Sequence, residues 1–211
     1  MKVRTLVLCD DAWHPAEVVQ RGLNALSDPR FSFEFVAHGS RWAPEAMRKF
    51  PLVIVAKANH QCATNQSPWL TPETQTDFRY YTQQGGGLLL IHGGCGYKDS
   101  PVMRGVTGGA FMSHPDQCAV TFELKPGHPL TNGVEAFTVK DEHYQMVLDA
   151  ADADVFLYTR SAHGAQPAGW TRNEGGGRVC ALTPGHYLEV WLLPSFQNLL
   201  RNALLWTAKL N

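Results

Sequence analysis

The stretch Gly85-Gly86-Gly87-Leu88-Leu89-Leu90-Ile91-His92-Gly93-Gly94 decides how the rest of this chain is read. Glycine stops the helix before it, four consecutive aliphatic residues form a strand, and a histidine stands at the end of that strand before a Gly-Gly turn. A strand apolar along its whole length belongs to a parallel sheet with helices on both faces. In such sheets ligands and chemistry collect at the carboxyl ends of the strands. An imidazole placed there can serve as acid, base or metal ligand near neutral pH.

Upstream of this stretch the pattern is regular. Residues 4–9 read as a strand bounded by Asp10 and Asp11, and residues 15–26 as a helix, with Pro15 suited to a first helical position and Val18, Val19, Leu23 and Leu26 at helical spacing. A short strand at 32–36, a short helix at 43–50 and an apolar strand at 52–56 follow. Thr71-Pro72-Glu73-Thr74 then opens a capped helix that runs to about residue 84. Four strands alternating with helices predict a doubly wound α/β sheet.

Downstream the alternation breaks. Residues 93–118 are glycine-rich and without a periodic segment, so they read as a long functional loop. Strand-like runs at 119–124, 136–139, 154–159 and 178–183 come next, and a closing helix covers 195–209. Gly175-Gly176-Gly177 precedes a strand and not a helix, so it reads as a hairpin turn and not a dinucleotide loop; no nucleotide cofactor is expected. The second half therefore adds strands, partly antiparallel, to the same sheet. With no linker, repeat or low-complexity segment, a single domain over 1–211 is expected.

Composition narrows the partners. The chain has 211 residues, 44% of them hydrophobic and 18% charged, with 18 basic against 19 acidic residues and a formal net charge of -1. No basic block is present to bind nucleic acid or a membrane surface, and no window approaches the roughly 20 apolar residues of a membrane span. The start, with two basic and then only five apolar residues, lacks the apolar core of a secretory signal, so a cytoplasmic location is expected. Five scattered cysteines with no C-x-x-C pair argue against both a disulfide framework and a structural zinc knuckle.

The candidate chemistry lies in histidines. His14, His92 and His186 each follow a strand, which allows all three to reach one crevice, and Asp141-Glu142-His143-Tyr144 follows another strand. His14, His114 and His128 precede proline, which keeps them out of helices. His92, His186, His114 and Glu142 are the expected catalytic groups, and the same four are the ligands if a divalent metal is bound; no H-x-H or H-E-x-x-H spacing decides that question. His14, Asp141, Tyr144, Tyr97, Trp170 and Tyr187 are expected to bind substrate, the aromatic faces suiting the apolar face of a sugar. Cys95 is the alternative nucleophile, although Tyr97 stands where the second glycine of a Gly-x-Cys-x-Gly elbow belongs.

Taken in order, these segments resemble the trehalose-utilisation, or ThuA-like, family. The resemblance runs from the glycine–strand–His92 segment through Gly108-Gly109-Ala110-Phe111-Met112-Ser113-His114-Pro115, His128-Pro129-Leu130-Thr131-Asn132-Gly133 and Asp141-Glu142-His143-Tyr144. It continues in Pro167-Ala168-Gly169-Trp170-Thr171-Arg172, Gly177-Arg178-Val179 and Gly185-His186, and closes with Leu205-Trp206-Thr207-Ala208. It implies a three-layer αβα sandwich with a mostly parallel sheet, flavodoxin-like and similar to class I glutamine amidotransferases. In those enzymes a cysteine occupies the turn after the corresponding strand; here His92 stands at the strand end, which disfavours glutamine hydrolysis. The resemblance further implies use of trehalose or a related disaccharide, through keto-sugar intermediates, with a small carbohydrate as partner. A homodimer is expected by analogy with the scaffold. The lost nucleophile leaves a second reading open, a non-catalytic sugar-binding or regulatory protein, and a Cys95-dependent hydrolase is the third.

Overall fold

The computed structural model describes residues 2–210. Its first half runs β1 (Val3–Leu8), α1 (Ala16–Ala25), β2 (Phe31–Val36), α2 (Pro44–Met47), β3 (Leu52–Val55), α3 (Pro72–Gln83) and β4 (Gly87–Ile91). Then come α4 (Pro101–Thr107), β5 (Gly109–Ser113), β6 (Cys118–Leu124), β7 (Phe137–Asp141) and β8 (Gln145–Leu148). The chain closes with β9 (Asp154–Ser161), β10 (Gly164–Glu174), β11 (Gly177–Leu182), α5 (Leu188–Leu192) and α6 (Pro194–Thr207).

Nine strands form one sheet in the order β2-β1-β3-β4-β11-β10-β9-β6-β7. The five from β2 to β11 are mutually parallel, and the remaining four extend that edge antiparallel. A separate ribbon pairs β5 with β8. The parallel strands are sandwiched because their side chains alternate between two buried clusters. Val7, Leu52, Ile54, Leu89, Ile91 and Leu182 face α1, α5 and α6, whereas Leu6, Leu8, Val53, Val55, Leu88 and Leu90 face α2, α3 and α4. Burial of each such aliphatic side chain contributes about 1.5–3 kcal/mol. The result is the mixed α/β, three-layer arrangement with added C-terminal strands that the sequence suggested.

Local signals explain the helices. Thr71 accepts a hydrogen bond from the Thr74 amide, Pro72 fills the first turn of α3, and Gly85 (φ 100°) ends it. The segment read as a structureless loop contains α4 and β5. Pro101 starts that helix and Gly108 (φ 84°) stops it, but Gly105 in its middle weakens the periodic signal. Helix α2 is shorter than the expected 43–50, and the strands β5 and β8 lie where none was expected, in short runs without clean alternation. The antiparallel β10–β11 pair turns at Gly175 and Gly176, as a hairpin should.

Strand order reverses between β1 and β3: β2 lies on one side of β1 and β3 on the other. Loops leaving the two strands diverge there and open a crevice. Gly94, in the turn after β4, is packed so closely that an added Cβ would collide with the carbonyl oxygen of Val55. Gly94→Ala is therefore expected to destabilise the fold by about 2–4 kcal/mol, measured as a lowered urea midpoint with unchanged slope; an unaltered midpoint would show that the turn has room to give.

Candidate active site

Four strand ends deliver the site. Asp11 and His14 follow β1, His92 ends β4, Glu142 and Tyr144 follow β7, and His186 follows β11. The His92 backbone is left-handed (φ 49°), a conformation that costs an L-residue about 1–2 kcal/mol. It turns the imidazole inward beneath the glycine turn, where only 2% of the residue is exposed. Gly185 (φ 136°) makes the corresponding turn before His186, in a region of backbone space open mainly to glycine.

The imidazoles surround one carboxylate. Glu142 Oε2 lies 3.3 Å from His92 Nε2, and Oε1 lies 3.3 Å from His186 Nδ1 and 3.5 Å from His114 Nε2. The His14 ring stands nearly perpendicular to those of His92 and His186, with centroids 4.8 and 5.5 Å away. Each inner ring is held from behind. Nδ1 of His14 donates to Asp11 at 2.7 Å, and Nδ1 of His92 donates to the Thr183 carbonyl at 2.7 Å. The Gln117 amide meets His186 Nε2 at 3.2 Å and Glu142 at 3.3 Å, and Tyr187 donates its hydroxyl to Gln117. The Tyr144 hydroxyl meets His92 Nε2 at 3.1 Å. The fully buried Asp141 accepts the Gly185 and His186 amides at 2.9 and 3.1 Å and so fixes the loop carrying His186.

Burial and charge set the protonation of this group. Burial alone raises the Glu142 carboxyl, but His92 first, then His186 and His114, outweigh it and hold it down to about 2. Burial lowers His186 to about 4 despite the pull of Glu142, and lowers His14 despite Asp11. At His92 burial works downward too, yet the hydrogen bond to Glu142 and the nearby Asp141 charge leave it above the usual imidazole value. Burial lifts Asp141 above the ordinary carboxylate range. At neutral pH the site therefore holds an ionised Glu142 beside uncharged His14 and His186.

A cavity of about 620 Å³ opens in front of the cluster, lined by His14, His114, Glu142 and His186 and by the faces of Trp13, Phe111 and Tyr144. That volume falls within the ~300–1,000 Å³ range of small-molecule sites. Trp13 is 60% exposed at the mouth and packs on His60 with ring centroids 4.5 Å apart. Phe111 packs on Tyr144 at 4.2 Å.

The structure redistributes several expected roles. His14, expected only to touch substrate, sits within the inner cluster: one ligand atom each from His14, His92, Glu142 and His186 lie within 4.8 Å of one another. His114, expected among those ligands, stands on the outer rim with 35% of its side chain exposed. Trp170 does not line the cavity; it is fully buried on the α3–α4 side of the sheet and donates to the Thr107 carbonyl. Tyr97 is likewise in the core, donating to the Lys57 carbonyl at 2.6 Å. Both were expected on the strength of ring type alone, and ring area is as useful to a core as to a sugar. Tyr187 is not among the residues that line the cavity; it packs edge-on against His186, with ring centroids 4.7 Å apart, and donates to Gln117. His143 points away, to Ser161, from the middle of a tight turn in which the Tyr144 amide donates to the Glu142 carbonyl at 3.1 Å. Asp11, Gln117 and Thr183 were not singled out in the sequence. For Asp11 the spacing Asp11-x-x-His14 at a strand end was the available signal; nothing local marks Gln117.

Cys95 is 1% exposed, its thiol directed at the Leu182 carbonyl and pushed up to about 12 by burial. A thiol so buried and so raised is a poor source of thiolate at neutral pH, which counts against the cysteine-hydrolase alternative.

A protein-family model for ThuA, described as trehalose utilisation, matches residues 10–207. A ThuA-like protein from Parabacteroides merdae shares the fold with a TM-score of 0.78 at 18% identity, over 99% of this chain and 90% of that one. A protein of Salmonella typhimurium described as cytoplasmic gives a TM-score of 0.70 at 14% identity, over 98% of this chain and 99% of the other. A β-galactosidase from Rahnella sp. R3 matches with a TM-score of 0.69 at 14% identity, over 100% of this chain but 32% of its own. Likeness at such identities is likeness of fold. No curated protein matches the chain. Among the described residues no helix is long and apolar enough to cross a membrane.

The thiols give a direct check on the burial assigned to this region. In native protein, iodoacetamide should label Cys62 and Cys118, which are partly exposed, with Cys62 the faster because the Thr64 hydroxyl lowers its thiol. Cys9, Cys95 and Cys180 should react only on unfolding. Mass spectrometry of the labelled peptides decides it, and prompt native labelling of Cys95 would contradict the site as described.

Proposed function

The chain belongs to the ThuA, or trehalose-utilisation, family, and we propose that it is an enzyme of carbohydrate utilisation acting on a disaccharide or its keto derivative in the cavity before Glu142. The observation that carries this reading is the convergence of four imidazoles on one buried carboxylate at the wall of a cavity with three aromatic faces. Aromatic faces suit the C–H faces of a sugar ring, and the imidazole–carboxylate wall suits its hydroxyl and carbonyl groups.

Proton transfer beside a sugar carbonyl needs a group that exchanges protons at the cavity surface and fixed groups that stabilise the charge left behind. His114 has the first position: it is exposed enough to meet substrate and lies 3.5 Å from Glu142. His92, at the other carboxylate oxygen, and Tyr144, bonded to His92, lie deeper and hold the inner charge distribution in place. Trp13 at the mouth supplies a platform for the outer sugar ring.

Two measurements test the reading against disaccharides and keto-disaccharides. His92→Ala and His114→Ala should each lower kcat by about 10²–10⁴ with native circular dichroism. Trp13→Ala should raise KM about 3- to 10-fold, as expected for one lost aromatic contact, with kcat nearly unchanged. Full activity in both histidine variants would place the reaction elsewhere. Saturable sugar binding with no product after prolonged incubation would instead make the protein a sugar-binding one.

A further inference from the structure

The inner four residues are spaced unlike a self-sufficient hydrogen-bond network. Charge-assisted N–H···O bonds run to about 2.7–2.9 Å, yet Glu142 stands 3.3 Å from both His92 Nε2 and His186 Nδ1. His186 Nδ1 is buried and makes no hydrogen bond. The three inner rings are steeply inclined to one another, at 87°, 85° and 63°, so they converge edgewise and do not stack. Four donor atoms thus enclose a small centre, none of them satisfied at full strength by the others.

We propose that His14, His92, His186 and Glu142 form a binding site for one divalent first-row transition-metal ion, zinc being the reference case. The proposal rests on the reading of this cavity as the place of reaction, and it names what holds charge there. The donor set is three imidazole nitrogens and one carboxylate with no thiolate, which suits zinc and its neighbours and does not suit calcium or magnesium.

The surroundings are built for ligation. An imidazole ligand is oriented by a partner on its other nitrogen. His14 has Asp11 in that role and His92 has the Thr183 carbonyl, each at 2.7 Å, which directs both Nε2 atoms toward the centre; the Tyr144 hydroxyl, 3.1 Å from His92 Nε2, would yield that position to the ion. His186 has Gln117. An amide turned by half a rotation keeps its shape and presents oxygen in place of nitrogen, so Gln117 can accept from Nε2 while Nδ1 binds the ion. It then gives up its bond to Glu142, as that carboxylate turns to the ion, and donates to the Tyr187 hydroxyl instead. Metal–ligand bonds of 2.0–2.2 Å put ligands about 3.4 Å apart in a tetrahedron and about 4.2 Å across an octahedron. The four donor atoms, within 4.8 Å of one another, need close by only a fraction of an ångström to a little over one. Since His14, Glu142 and His186 also line the cavity, a further coordination position faces the substrate side. An ion bound here would supply Lewis-acid polarisation of a sugar carbonyl or hydroxyl oxygen.

The test is made on full-length protein stripped with dipicolinate and titrated with zinc or cobalt(II) in the absence of any sugar. One ion per chain is expected by elemental analysis, with a cobalt(II) visible absorption band that zinc displaces. His186→Ala and Glu142→Gln should each weaken zinc binding at least 100-fold. Asp11→Asn, acting through His14, should weaken it about 10- to 100-fold, while His114→Ala keeps full stoichiometry. Circular dichroism establishes that each variant is folded. Failure of folded wild-type protein to take up an ion, or wild-type affinity in Glu142→Gln, overturns the site. An ion held by these residues in a protein that turns over no carbohydrate upholds the site and overturns the functional reading; undiminished turnover by stripped protein does the reverse.

Discussion

The carboxylate of Asp11, with no exposed surface, accepts four hydrogen bonds that tie the site to the sheet. Oδ1 takes the Trp13 and His14 amides at 2.8 and 3.1 Å, and Oδ2 takes His14 Nδ1 and the Ala58 amide, both at 2.7 Å. Ala58 follows β3 and His14 follows β1, so one side chain clamps the two loops that part where the strand order reverses. The same carboxylate fixes the His14 tautomer and its angle to His92. His14 and His60 help to place Trp13, so even the cavity mouth inherits its geometry from this clamp. A buried charge is tolerable only when so fully satisfied, and that requirement makes the loop conformations interdependent.

Glu142 is the opposing buried charge, and it is satisfied differently. Asp11 is held largely by backbone amides, whose positions the sheet dictates, whereas Glu142 is held by side chains from three other strand ends and by Gln117. Both carboxyls are held down at about 2. In Asp11 burial is outweighed first by His14 and then by the Ala58 and Trp13 amides; in Glu142 it is outweighed by a cluster of imidazoles.

The parallel half of the fold was legible because its signals are local and periodic: apolar β3 and β4, the Thr71 cap, the glycine stop at Gly85. The strand-end histidines were legible for the same reason, since a topological rule says where strand ends meet. What escaped depends on contacts distant in sequence. Gln117 lies 69 residues from His186 and 70 from Tyr187, in a segment whose local pattern gives no hint that it faces either. The burial of Trp170 and Tyr97 is a tertiary outcome, decided by which face of the sheet each ring reaches. Helix α4 was hidden by its shortness and by Gly105, and β5 and β8 by pairing only with each other.

That last pairing divides the cavity into two parts of different origin. His14 and His92 are anchored to the parallel strands β1 and β4 of the nine-stranded sheet, while Phe111 belongs to β5, His114 follows directly from it, and Tyr144 leads into β8. The ribbon shares no ladder with the large sheet among the described residues. Substitutions along it can therefore recontour the wall that meets a ligand without breaking a hydrogen bond of the central sheet. The scaffold separates an imidazole–carboxylate cluster, locked in the interior, from a cavity wall that is free to diverge.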